Sequence, residues 1–186
     1  MAVSEPQPRD ARMAQGAPAP AAGGAGPSSP GPAPGQRGWF LEDAIPGTTL
    51  RHPGGRTIDK AEHVWLAWIT NNVSDIHGNA DAASRATWGQ PIVLGALSAA
   101  VVIGLAAPGV GPPEVGTAGW SDGWTSVRLT ATVLPGDTLY AESAIHAVTV
   151  EPGARTGRVR RTIIGRNQRG EAVAQVEEER EVACRG

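Results

Sequence analysis

I-V-L-G-A-L-S-A-A-V-V-I-G-L-A-A, residues 92–107, is the stretch on which the fold turns. It carries no charge and a single hydroxyl, Ser98. Apolar surface of this extent has to leave water. A bilayer span needs about 20 apolar residues; this run is shorter, and Pro91 and Pro108 bracket it. It reads as a helix buried in a core, and a helix apolar on every face must be wrapped by other elements. Pressed against it in sequence is a polar loop, T-N-N-V-S-D-I-H-G-N at 70–79. The loop concentrates Asn72, Ser74, Asp75, His77 and Asn79, all able to hydrogen bond or move protons. Proton-transfer groups beside a dry helix are the raw material of general acid–base chemistry.

Working upstream, Asp59 is placed to cap a helix over 60–70, with Val64, Trp65, Trp68 and Ile69 at helical spacing as its apolar face. Residues 48–51 read as a short strand, and Gly54-Gly55 as a turn before R-T-I-D. Asn79 caps a short helix over 80–87, and Gly89-Gln90-Pro91 leads into the apolar run. Downstream the pattern changes to alternation, with strands expected over 124–133, 138–150, 157–166 and 171–182. Pro135-Gly136-Asp137 is read as a hairpin turn or bulge between the first two, and Asn167-Gln168-Arg169-Gly170 as the turn between the last two. A strand, then helices, then a run of antiparallel strands gives an α+β domain. A long central helix is wrapped by the sheet.

Residues 1–37 are a different material, holding half of the 16 prolines and no aromatic. Such a segment cannot bury enough apolar surface to offset the entropy of ordering, so it is read as a disordered tail, a dispensable extension rather than a tether. Residues 38–186 then form one domain, within the size a single core supports. A net charge of −2 gives no electrostatic footprint for nucleic acid. Cys184 is the only cysteine, which excludes an intrachain disulfide, and it lies too near the C-terminus for a buried nucleophile. With no apolar signal core and no twin arginine, the expected compartment is the cytoplasm, with no membrane partner.

Six short pieces occur in order along 38–171: G-W-F-L-E-D at 38–43, G-R-T-I-D at 55–59, N-x-x-x-x-H at 72–77, W-G-Q-P-I-V at 88–93, G-D-T-L at 136–139 and N-Q-R-G-E at 167–171. Together they resemble the MaoC-like hydratases, nearest to the branch of itaconyl-CoA and mesaconyl-CoA hydratases. The resemblance implies a single hotdog domain, with 92–107 as its central helix. It also implies a homodimer paired through its sheets, with the active site at the dimer interface. The implied substrate is an acyl thioester of coenzyme A or of acyl carrier protein, handled without metal or redox cofactor.

Hydration of a 2-enoyl thioester needs a base for the attacking water, an acid for the α-carbon and donors for the thioester oxygen. His77 resembles the family's catalytic histidine. Asn72 stands where the R-specific hydratases have Asp. An amide can orient a water or the imidazole but cannot accept a proton. Asp75 is the nearest carboxylate, with an Asx turn as its structural reading. Asn79 also replaces a family Asp, and reads as a helix cap. Gly95, Ser74, Asn79 and Arg160 are the candidates for holding substrate. Gly95 would permit close approach of the thioester carbonyl to the first helical turn. Arg160 belongs to a run with Arg155, Arg158, Arg161, Arg166 and Arg169 that could meet phosphates or simply balance Glu177, Glu178, Glu179 and Glu181. His52, His63 and His146 carry no motif and are read as structural. The expected activity is a reversible hydratase/dehydratase on 2-enoyl and 3-hydroxyacyl thioesters. The alternatives are a hotdog thioesterase using Asp75 or Asp81, or a non-catalytic acyl-binding partner.

Overall fold

A computed structural model describes residues 28–29, 40–107 and 121–185. A short 3-10 turn at Leu41–Asp43 precedes the main elements. These are β1 (Ser28–Ser29), β2 (Thr49–Arg51), β3 (Arg56–Thr57), α1 (Lys60–Ile69), α2 (Asp75–Gly78), α3 (Ala80–Ser84), α4 (Gly95–Ala106), β4 (Ser121–Leu129), β5 (Thr138–Thr149), β6 (Thr156–Asn167) and β7 (Ala172–Ala183). The sheet runs β1-β2-β5-β6-β7-β4, with β3 also pairing β5. Every pairing is antiparallel except β1 with β2. The tail expected over 1–37 lies outside the described residues apart from Ser28 and Ser29, which sit beside Thr49 and Leu50.

The apolar run is the central helix. α4 packs on β5, β6 and β7. Its Leu97, Val101, Val102 and Ala106 join Leu139, Ala141, Ile163, Val173 and Val176 in the main core. Gly165 on β6 lets the helix settle, because a Cβ there would collide with Val102. Helix geometry starts only at Gly95, since the preceding residues are held extended. Ile92 donates its N–H to the Ile76 carbonyl, and Val93 to that of Val133. No described helix is long and apolar enough to cross a membrane.

Two expectations need correction. Pro135-Gly136-Asp137 does turn, with Gly136 at φ 95°, but it does not close a hairpin. β4 pairs with β7 and β5 with β6, so the turn ends a crossover from one side of the sheet to the other. Asp137 is buried there and accepts from the Leu134 amide, Gln168 and Arg169, fastening the turn to the β6–β7 loop. The second correction concerns α1. Its start is as expected: Asp59 accepts from the Ala61 amide while Glu62 accepts from the Asp59 amide. The face that packs inward, however, is His63 and Ala67. Trp65, Trp68 and Ile69 point to solvent, Trp68 being 71% exposed, and the two indoles meet edge to face at 6.2 Å. Ala67 is small enough to bring α1 close to the core, and the large residues are left on the far side.

A second, smaller cluster forms from Leu41, Ala44, Leu50, Ile145, Val159 and Val182. On the inward face of β6, Arg161 stands between Val159 of this cluster and Ile163 of the main core. Arg161 donates from Nε and Nη2 to Glu178 and from Nη1 to Ser143 Oγ, and His52 Nε2 lies 2.7 Å from the same hydroxyl. Burial, reinforced by the Arg161 charge, pushes His52 down to about 4. The fold therefore holds His52 neutral while the unfolded chain ionises it near pH 6.5. Stability from this source is intact above that pH and falls as pH drops from about 6.5 toward about 4, by about 3 kcal/mol in all. Urea melts across this range should show the slope, and His52→Gln should remove most of it. An unchanged slope in that variant would assign the acid sensitivity elsewhere.

Candidate active site

The polar loop folds by satisfying itself. Asn72 Oδ1 accepts from the Ser74 amide, an Asx turn that leads into α2. Asn79 Oδ1 accepts from the Ala82 amide as the cap of α3, and its Nδ2 donates to Asp75 Oδ1. These bonds fix a single helical turn that carries His77.

His77 opens onto a cleft of about 390 Å³. One wall is Ile76, His77, Ile92, Val93, Gly95 and Ser98; the other is residues 129–133, where the chain leaves β4. His77 Nδ1 lies 2.8 Å from the Ile92 carbonyl oxygen. A carbonyl can only accept, so Nδ1 carries the proton and Nε2 keeps its lone pair. Among the described residues Nε2 has no partner. The N–H groups of Gly95 and Ala96, the first two of α4, also lack an intrahelical acceptor. The cleft thus brings together the His77 ring and the backbone N–H of Gly95 at a helix N-terminus, with the Ala96 N–H next along the chain. Gly95 is tightly placed, since a Cβ would meet the Leu129 side chain.

The residues proposed from sequence separate into groups. His77 and Gly95 share the cleft, and Ser98, buried in α4, joins them with its hydroxyl 3.4 Å from the Leu94 carbonyl. Asn72, Ser74, Asp75 and Asn79 lie on the loop behind His77 and do not line the cleft. Arg160 alternates with buried Arg161 and faces outward, in a depression with His146, Glu177 and Glu179. Most of the other arginines have acidic partners: Arg158 with Glu179, Arg166 with Glu142 and Arg169 with Asp137. Sequence reasoning missed Thr130 and Thr132 in the far wall, and it missed His63. Nothing in the alternation of 124–133 marks where the strand ends and the wall begins. A histidine one turn before Ala67, on the same face of α1, was the available signal for His63. Among the described residues no group of three or more His, Cys, Asp or Glu could hold a metal ion. A second depression, about 440 Å³, lies around Arg51, His52, Tyr140 and Arg166, but Glu142 is bound to Arg166 there and His52 Nε2 is engaged with the Ser143 hydroxyl.

Residues 42–167, from the 3-10 turn to the last residue of β6, match the model of the MaoC like domain. The chain belongs to the MaoC-like domain family. That match contains His77, Gly95 and both walls of the cleft. Solved structures agree on the fold. The MaoC-like dehydratase from Rhodospirillum rubrum superposes with a TM-score of 0.66 at 22% identity, over 80% of this chain and 99% of that one. The R-hydratase PhaJ1 from Pseudomonas aeruginosa gives 0.59 at 20%, over 80% and 88%. A Mycobacterium tuberculosis protein with a double hotdog fold, Rv0216, gives 0.64 at 17%, over 80% of this chain but 45% of that one. The MaoC-like domain is thus one hotdog unit, α+β, with α4 as its central helix. No curated protein sequence matches the chain.

Proposed function

We propose that this MaoC-like domain is a hydratase/dehydratase acting reversibly on 2-enoyl and 3-hydroxyacyl thioesters. The reading is carried by His77, whose Nδ1 is bound to Ile92, whose Nε2 has no partner among the described residues, and whose ring lines a cleft shared with Gly95, the first residue of α4. In the hydration direction a water lies between Nε2 and the substrate β-carbon. Nε2 takes a proton as the water oxygen bonds to the β-carbon. The electron pair moves toward the thioester oxygen, where the Gly95 and Ala96 N–H groups stabilise the charge. The imidazolium then returns a proton to the α-carbon, so that the elements of water are added and His77 is regenerated. Asn72 supports this indirectly, by shaping the turn that presents His77.

The carrier is coenzyme A or acyl carrier protein, and the six sequence pieces favour an acyl group of the itaconyl or mesaconyl type. No carboxylate lines the cleft among the described residues, which disfavours the thioesterase reading; Asp75 and Asp81 are engaged with Asn79 and Arg85. Incubation with crotonyl, mesaconyl and 3-hydroxyacyl thioesters, with products followed by mass, tests the proposal. Gain or loss of water supports it. Free thiol would favour hydrolysis, and no reaction would favour an acyl-binding role.

A homodimer belongs to the same proposal. β4 ends the sheet with its outer edge unpaired among the described residues, and Trp124, Val127 and Leu129 are 50%, 48% and 53% exposed on it. An apolar open edge favours pairing with another strand. A second copy seated there would also close the wall of the cleft that begins at Leu129. Val127→Lys should shift the protein from dimer to monomer in sedimentation. Monomeric wild-type protein at micromolar concentration would contradict it.

A further inference from the structure

We propose that His63 is a positioning residue for His77, locking the base to the start of α4. His63 is buried on α1, with its ring 6.0 Å from that of His77. His63 Nε2 lies 2.9 Å from the His77 carbonyl oxygen, and the Leu94 amide lies 3.3 Å from His63 Nδ1. A carbonyl accepts and an amide N–H donates, so both bonds form only in the neutral tautomer with the proton on Nε2. A second proton would set an N–H against the Leu94 N–H and break that bond. Burial also pushes His63 down from its ordinary pKa, in keeping with a neutral ring.

These bonds close a circuit. The His77 ring holds Ile92, the chain continues through Val93 to Leu94, Leu94 holds the His63 ring, and that ring holds the His77 backbone. Two of the circuit's corners are the base and the residue just before the α4 donors. One ring therefore sets the separation between base and oxyanion donors. Engaging Leu94 also leaves the free donors at the helix start as Gly95 and Ala96. Catalytic groups displaced by about 1 Å lose about 100-fold in rate, so a bridge of this kind acts on turnover more than on binding.

The inference rests on His77 being the base, and its test separates the two ideas. Nitrogen-15 histidine spectra should show His77 of the wild type as a single tautomer protonated on Nδ1. In His63→Ala that signal should move toward a mixture of tautomers, with kcat down about 10- to 100-fold and KM changed less than about 3-fold. His63→Gln, which keeps a donor near the Nε2 position, should recover most of the His77 signal and of kcat. An unmoved His77 signal with unchanged kcat in His63→Ala would overturn the proposal. So would an equal loss of both in His63→Gln. Should the wild type hydrate no thioester, the functional reading fails while the spectra still decide the role of His63.

Discussion

Replacing His77 by Ala is expected to lower kcat/KM for hydration of a 2-enoyl thioester by about 100- to 10,000-fold, the range contributed by a positioned general base. The fold should survive. His77 is only half-buried and sits on a single helical turn whose shape is kept by Asn72, Asn79 and Asp75. The ring forms one bond that would be lost, to the Ile92 carbonyl, and Ile92 remains tied to Ile76 through its own amide. Circular dichroism and melting should therefore stay near wild type while turnover collapses. Retention of full hydratase activity by this variant would remove His77 from the mechanism. Asn72→Asp provides a graded companion. It keeps an acceptor for the Ser74 amide, so stability should hold, and a large drop in melting temperature would mean the amide itself is required.

The largest stability effect should come from the buried ion pair. Arg161 and Glu178 are each 1% exposed and joined at 2.9 and 2.7 Å. Arg161→Met would leave the Glu178 carboxylate in the core with Arg180 alone, 3.4 Å away, as a charged neighbour. An uncompensated buried charge of this kind costs about 3–5 kcal/mol, a large share of a domain's total stability. Arg161→Met combined with Glu178→Leu should recover much of that loss, since no lone charge remains. Chemical denaturation of the two single variants and the double variant measures the cycle; additive losses would show that the pair does not act as a unit. Acid reports on it too. Burial works against the Glu178 charge, yet Arg161 and Arg180 outweigh it and hold the carboxyl below the usual range. Its contribution is complete above about pH 4.3, the unfolded value, and is lost only as pH falls below that. The acid loss from Glu178 therefore begins below the pH at which the His52 penalty starts.

Much of this was legible because local signals agreed with the fold. The run at 92–107 could only be a wrapped helix, and Asp59 and Asn79 both cap where their spacing placed them. The strands after residue 137 follow their alternation closely, with Leu139, Ala141, Ser143 and Ile145 inward until a register shift after Ile145 ends the pattern. What failed was non-local. Which strand β4 pairs with depends on the whole sheet, so a good turn signal at 135–137 does not by itself distinguish a hairpin or bulge from the end of a crossover. Helical spacing in α1 identified an apolar stripe but not the direction it faces. The same limit applies to the arginines: alternation predicts that one row turns inward, but a charged row inside is the exception to burial rules. Arg161 is therefore visible only beside Glu178 and Ser143. In the site, the sequence pointed to a polar loop of five candidates. Three of them, Asn72, Asp75 and Asn79, spend their side chains on the loop itself, and of the five only His77 lines the cleft.

In the proposed reaction His77 adds water across the double bond of an acyl thioester. Incubating the wild-type protein with crotonyl and mesaconyl thioesters in water labelled with heavy oxygen, and weighing the products, tests it most directly. The expected product is an intact thioester carrying one labelled hydroxyl on its acyl chain, formed by the wild type and not by His77→Ala. Label in a free carboxylic acid with released thiol, or an acyl chain that stays unlabelled with both substrates, would contradict it.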